Sequence, residues 1–372
     1  MDRKHTSSSG HSNSEADFRT DGGGKLFTPD NNIYKNRDAV KDSYSPKQIV
    51  GRDDKIADYR KALQPVVNGE EPDNILVYGK TGVGKTVVTK YILNVLVESA
   101  EEYDIDLTVL NLNCKDSNTS YQTTIRLVND LRDQEDQMSQ AGHAEWKVYQ
   151  ALWDELDDLG GTVLVVLDEI DNIRDDDIIY QLSRAQSEGK LENAKIGVIG
   201  ISNDLTYRDK LQKESQSTFA QKSVFFPPYD SSQLVQLLKR RKEIAFQEDS
   251  INESELRLIA AYGAKDSGDA RKSLRLLREA GDIARNERVE SVTKEHVEQA
   301  KELIETEEII TGIKENLSDN EKLALYALTT LEAEDETPAK TSRVYERYSK
   351  IAKLRGTDPV TSRRLRDFLS EL

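Results

Sequence analysis

The stretch at residues 74–86, Asn-Ile-Leu-Val-Tyr-Gly-Lys-Thr-Gly-Val-Gly-Lys-Thr, limits what this chain can fold into more than any other. It reads as a short apolar strand (75–78), a glycine-rich turn and a helix start, and its turn fits G-x-x-x-x-G-K-[ST] at Gly79, Gly84, Lys85 and Thr86. Glycines let successive backbone N–H groups, those of Gly82, Val83 and Gly84 among them, converge on one anion. The helix behind them turns its positive end to the same point. Lys85 is placed to reach terminal phosphates, and the Thr86 hydroxyl to hold Mg²⁺. A chance glycine-rich loop is the competing reading. The strand ahead and the apolar helical positions behind (Val87, Val88, Tyr91, Ile92, Val95) favour binding of a nucleotide with Mg²⁺.

A second buried strand, 162–168, is a continuous aliphatic run, the mark of a parallel strand covered on both faces. It ends in Asp168-Glu169. Ligands in open α/β sheets lie beyond the carboxyl ends of the strands, which brings this pair toward the phosphate loop. Asp168 then joins the Mg²⁺ shell and Glu169 polarises the attacking water; an acidic helix cap is the alternative. Residues 196–204 form another such strand, ending in Asn203, which either orients water or the γ-phosphate or is an ordinary turn residue. Further strand and helix patterns alternate at 53–67 (helix), 107–112 (strand), 121–131 (helix) and 143–159 (helix, with Trp146, Tyr149, Leu152, Trp153 and Leu156 on its apolar face). Alternation through residue 226 predicts a parallel, doubly wound sheet. Pro46-Lys-Gln-Ile-Val-Gly-Arg52, upstream of the phosphate loop, reads equally as a wrap for the nucleotide base or a plain lead-in turn.

The chain has 372 residues, enough for two or three domains. Residues 1–30 are Ser-, Gly- and Asp-rich and predict a disordered tail. No apolar run reaches membrane-spanning length, and nothing at the start resembles a signal peptide, so a cytoplasmic protein is expected. The one cysteine, Cys114, excludes an internal disulfide and a cysteine-based zinc site. A net charge of −16, from 68 acidic against 52 basic residues, suits a salty cytosol in which dense carboxylates keep proteins dispersed.

After Pro227-Pro228-Tyr229 everything reads as helix: 230–247, 254–262, 268–288 and 293–310 form a small all-α unit. A third unit follows. Ser318 and Glu321 make a capping box, 338–355 is helical, and Gly356-Thr-Asp-Pro359 stops that helix and starts another with Asp358 as cap and Pro359 at its first position. This helix-turn-helix offers Thr361, Ser362, Arg363, Arg364 and Arg366 where a recognition helix meets DNA. From Pro338 on there are nine Lys/Arg against four Asp/Glu, a local positive excess in an acidic chain. A solvated helical hairpin is the alternative.

These marks, with Asn36-Arg37, Ile49-Val-Gly-Arg52, Leu167-Asp-Glu-Ile-Asp171, Gly200-Ile-Ser-Asn-Asp204, Phe226-Pro-Pro-Tyr229 and Gly268-Asp-Ala-Arg271 in order, resemble the archaeal family of AAA+ replication initiators related to origin recognition complex subunit one and cell division control protein 6. The resemblance runs from about residue 33 to the C-terminus. It implies a P-loop α/β domain at 31–226, a helical lid domain at 227–311 and a winged-helix domain at 312–372. It further implies that Val50 lines the adenine pocket, that Asn203 reads the γ-phosphate, that Tyr229 and Arg241 contact ATP from the lid boundary, and that Arg271 is a second phosphate sensor. The implied function is ATP-dependent binding of double-stranded origin DNA, with self-assembly on it, and recruitment or loading of the replicative helicase, slow hydrolysis acting as a switch. The 116–142 region matches the family's extra DNA-contacting helix, though Asp133, Glu135 and Asp136 suit phosphates poorly.

Two departures stand out. Glu214 occupies the place of the family's arginine finger, with Lys210 and Lys213 nearby but lacking its fork. The sequence also reaches Leu372 without the β-hairpin wing, so a wing-less third domain is expected. A diverged paralogue regulating through protein contacts, or a generic AAA+ motor, are the alternatives to an initiator.

Overall fold

The computed structural model describes residues 33–371. The expected tail at 1–30 lies outside the described residues. The centre is a five-stranded, fully parallel sheet: β1 (Ile75–Gly79), β2 (Leu107–Asn113), β3 (Gly161–Asp168), β4 (Ala194–Ser202) and β5 (Lys222–Phe226), in spatial order β2-β3-β4-β1-β5. Alternate side chains of each strand go to opposite faces. Val163, Val165 and Leu167 of β3 pack with helices α3 (Ser120–Leu131), α4 (Glu145–Leu159) and α5 (Asp177–Arg184). Leu164 and Val166 pack instead with α1 (Asp53–Val67) and α2 (Lys85–Glu102). Both faces are thus buried, which explains the uninterrupted aliphatic strands.

Two short helices, α6 (Tyr207–Lys210) and α7 (Lys213–Phe219), lead from β4 into edge strand β5. The lid follows, with α8 (Ser231–Ala245), α9 (Glu253–Asp266), α10 (Ala270–Asn286) and α11 (Lys294–Asn316) around their own core. Helix α8 opens on a reciprocal capping box between Asp230 and Gln233. Residues 33–40 belong with this core rather than with the sheet. Ile33, Tyr34, Ala39 and Val40 are buried in it, Tyr34 pairs with Phe246 as an isolated bridge, and Arg37 forks onto Asp282. Helix α11 runs unbroken past residue 311.

The third unit holds α12 (Asp319–Ala333), α13 (Thr341–Leu354) and α14 (Ser362–Glu371) around Leu331, Tyr348, Leu365 and Phe368. The Ser318–Glu321 capping box forms. Asp358 is not the cap of the last helix. The Val360 amide donates to the Tyr348 hydroxyl at 3.2 Å, which holds the chain off helical geometry, and Thr361 accepts from the Arg364 amide at 3.3 Å as the cap. Trp146 also departs from expectation: it is 67% exposed in the first turn of α4, while Tyr149, Leu152, Trp153 and Leu156 are buried. Val95 similarly points away from the face of α2 made by Val88, Ile92 and Leu96.

Candidate nucleotide site

Strand order builds the site. β4 lies between β1 and β3, with Tyr78 level with Ser202 and Asp168 level with Ile201. The three strands therefore end at one rim. There the phosphate loop, the Asp168-Glu169 pair and Asn203 emerge side by side. Gly82 and Gly84 both hold positive φ, 75° and 92°, and the loop's last glycine is the residue from which α2 starts. Lid residues close over the loop. The Ala270 amide donates to Gly82 O at 3.0 Å, the Asp269 carboxylate fills the space a Gly82 side chain would need, and the Tyr229 hydroxyl does the same above Gly84.

Lys85 is 5% exposed, and its ammonium donates to Gly79 O and Lys80 O, each at 2.8 Å, and to Asn203 Oδ1 at 2.9 Å. All three of its protons are in use, so an arriving phosphate exchanges for one of these acceptors. Burial pushes Lys85 down to about 8, against the opposing pull of Asp168 and Asp171. Asn203 is itself held by its amide on Asp171 Oδ1 at 2.9 Å. Thr86 Oγ1 donates to Asp168 Oδ1 at 3.2 Å, and the Glu169 amide donates to the same oxygen at 3.0 Å. Glu169 adopts a left-handed backbone (φ 57°), a strained state for a non-glycine residue, braced by Asn172 Nδ2 on its carbonyl at 2.9 Å.

These groups face a cavity of about 220 Å³ whose walls include Gly82, Gly84, Lys85, Thr86, Asp168, Glu169 and Asn203 from the sheet side and Tyr229, Arg241 and Arg271 from the lid side. Val83, the other amide candidate, is fully buried beneath the loop. Arg271 is exposed on the wall, makes no ion pair among the described residues, and its charge is felt at Lys85. A second cavity of about 280 Å³ adjoins it, lined by Tyr44, Ile49, Val50, Val87, Leu237 and Ile244 and sharing Tyr229 and Arg241. An apolar slot beside a polar, cationic hollow matches a purine next to its phosphates. Arg241 is 9% exposed, its guanidinium 4.5 Å from the centroid of the Tyr44 ring, and burial lowers its pKa. Tyr44, Asp171 and Asp269 join the site without a role assigned from the sequence, although Asp171 and Asp269 lie within the motifs at 167–171 and 268–271.

The Thr86 hydroxyl and Asp168 carboxylate are hard oxygen donors in contact, as Mg²⁺ requires. Among the described residues no group of three or more His, Cys, Asp or Glu gathers as a metal site. Mg²⁺ would therefore complete its shell with phosphate oxygens and water.

The DNA candidates stand apart from this hollow, on α14 and its cap Thr361. Thr361, Arg363, Arg364 and Arg366 are exposed and Ser362 half-buried. Arg364 lies over the Phe368 ring at 4.9 Å, and none of the three arginines has a carboxylate partner among the described residues. On α13, by contrast, Arg343 and Arg347 are tied to Glu336 and Glu334. Glu214 is exposed on the first turn of α7, and Lys210 is paired with Asp204 at 2.5 Å. No helix of the described residues is long and apolar enough to cross a membrane.

Three family models match the chain: an AAA ATPase domain at residues 48–193, a Cdc6 AAA+ ATPase-type lid domain at 235–302 and a CDC6 C-terminal winged helix domain at 313–372. ORC1-type DNA replication protein 2 of Haloarcula marismortui is 49% identical over 348 residues, 94% of this chain and 84% of the relative. The ORC1-type DNA replication protein of Thermococcus kodakarensis is 38% identical over 344 residues, 91% of this chain and 82% of the relative. The structure of Aeropyrum pernix ORC1 in complex with DNA superposes with a TM-score of 0.75 at 31% identity, covering 92% of this chain and 88% of that one. Cdc6p of Pyrobaculum aerophilum, at 20% identity and a TM-score of 0.63, shares the fold. With an AAA+ domain, lid and winged helix in this order, and relatives this similar over more than 90% of its length, the chain belongs to the archaeal ORC1-type DNA replication proteins, the origin recognition complex subunit 1 and cell division control protein 6 family of AAA+ initiators.

Proposed function

We propose that this protein binds ATP with Mg²⁺ between its sheet and lid domains, binds double-stranded origin DNA in that state, and helps recruit or load the replicative helicase. The observation that carries the proposal is the single hollow that gathers Lys85, Thr86, Asp168, Glu169 and Asn203 from three strand ends and Arg271 from the lid. Lys85 and the loop amides hold the phosphates. Thr86 and Asp168 hold Mg²⁺, which supplies charge neutralisation when bound. Glu169 orients water and Asn203 reads the terminal phosphate. Arg271, on α10, joins lid position to the presence of that phosphate, a two-state element that a nucleotide can bias. Val50, Tyr229 and Arg241 frame the base.

Hydrolysis is slow in this reading, because a carboxylate at Glu214 offers no charge stabilisation to a neighbour's transition state and Lys210 is already paired. The DNA arm rests on the arginines of α14, which have no carboxylate partner among the described residues, on relatives named DNA replication proteins and on a structural relative solved with DNA. Self-assembly along DNA and a cytoplasmic location complete the proposal. The acidic loop at Asp133, Glu135 and Asp136 favours a second reading, in which the chain regulates replication through protein contacts. Selection of bound fragments from genomic DNA at high salt, with and without ATP, separates the two. Recovery of defined repeats that depends on ATP supports the initiator; recovery of no preferred sequence under either condition refutes it.

A further inference from the structure

Arg52 lines neither cavity, yet it is the most deeply buried cation in the described chain, 1% exposed and without an ion pair. Asp54 feels its charge but is itself tied to Lys55 at the surface. One guanidinium nitrogen donates to Val83 O at 2.8 Å and to Pro227 O at 2.7 Å, the guanidinium lies 3.6 Å from the Tyr229 ring centroid, and Nε has no partner. A buried charge kept without a carboxylate is costly and asks for a reason.

The peptide plane supplies one. Val83 C=O and Gly84 N–H belong to the same trans peptide and point in opposite directions. Pinning the carbonyl down onto Arg52 turns the Gly84 amide up into the phosphate hollow. The other two contacts bind the same guanidinium to the start of the lid, whose Tyr229 amide donates to Gly268 O at 3.0 Å and whose Ala270 amide reaches Gly82 O. We infer that Arg52 is a positioning residue that aims the Gly84 amide at the nucleotide phosphate and makes that aim depend on lid docking. This rests on the nucleotide site proposed above.

The test compares wild type with Arg52→Met, which removes the donor, and Arg52→Lys, which keeps the charge and donors but lacks the planar face that stacks on Tyr229. Mg-ATP affinity should fall roughly tenfold or more in Arg52→Met and less in Arg52→Lys. In nucleotide-free protein, amide exchange at Ala270 and Tyr229 should accelerate by about tenfold or more, while the Val198 amide in the central sheet keeps its rate. Uniform acceleration, with the affinity loss tracking it, would show a purely structural arginine and overturn the inference. So would local acceleration with unchanged affinity, or lost affinity with unchanged exchange. If Arg52→Met fails to fold, Arg52→Lys is judged by the same criteria. Failure of wild-type protein to bind Mg-ATP would instead sink the nucleotide site, which the exchange comparison does not require.

Discussion

Gly82→Ala probes the closure of the lid on the phosphate loop. At φ 75° an alanine is strained by about 1–2 kcal/mol. Its Cβ would also fall 1.9 Å from Asp269 Oδ1 and 2.0 Å from Cγ, so the carboxylate must leave. Asp269 is the N-cap of α10, accepting from the Arg271 and Lys272 amides at 2.7 and 3.2 Å, and losing a cap costs about 1 kcal/mol. The single variant should therefore lose about 2–3 kcal/mol of stability. Asp269→Ala alone should lose about 1 kcal/mol, and the same change made on top of Gly82→Ala should cost almost nothing, because the cap is already displaced. Urea titration of nucleotide-free protein followed by circular dichroism measures all four corners of the cycle. If Asp269→Ala costs the same in both backgrounds, Gly82 and Asp269 do not meet, and the lid is not docked as described.

The depressed Lys85 gives a pH signature of known sign. Binding a triphosphate favours the protonated amine, so ATP affinity should be flat below about pH 8 and fall above it, by up to about tenfold per unit; a flat titration from pH 7 to 10 would contradict the burial argument. In the nucleotide-free protein the same group binds fewer protons folded than unfolded between about 8 and its ordinary 10.5, so its contribution to stability should rise with pH in that window, by at most about 1.4 kcal/mol per unit. Arg363→Ala and Arg366→Ala should each weaken duplex binding across sequences and reduce the slope of log affinity against log salt by about 1. An unchanged slope would remove these residues from the DNA surface.

The phosphate loop and the acid-ended strand were legible because period, glycine spacing and burial all act locally there: a strand covered on both faces has to be aliphatic throughout, and glycine reaches the φ values of Gly82 and Gly84 without the strain a side chain meets there. What escaped depends on contacts far apart in sequence. Trp146 shares the helical stripe of Tyr149 and Trp153, but the first turn of α4 lies where no element covers it. Asp358-Pro359 has the local chemistry of a helix start, which the hydroxyl of Tyr348 on the previous helix overrides. Residues 33–40 precede the sheet domain in sequence yet fill the lid's core, more than 200 residues away along the chain from Phe246 and Asp282. The role of Arg52 needed Val83, Pro227 and Tyr229 in place before its burial meant anything.

The central claim is that one lysine, saturated by Gly79, Lys80 and Asn203 until a phosphate arrives, anchors the nucleotide. Equilibrium binding of Mg-ATP to folded Lys85→Ala protein tests it most directly. Removing a buried, charge-assisted contact costs about 2–5 kcal/mol, so affinity should drop by roughly 30-fold or more. Wild-type affinity in that variant would contradict the account.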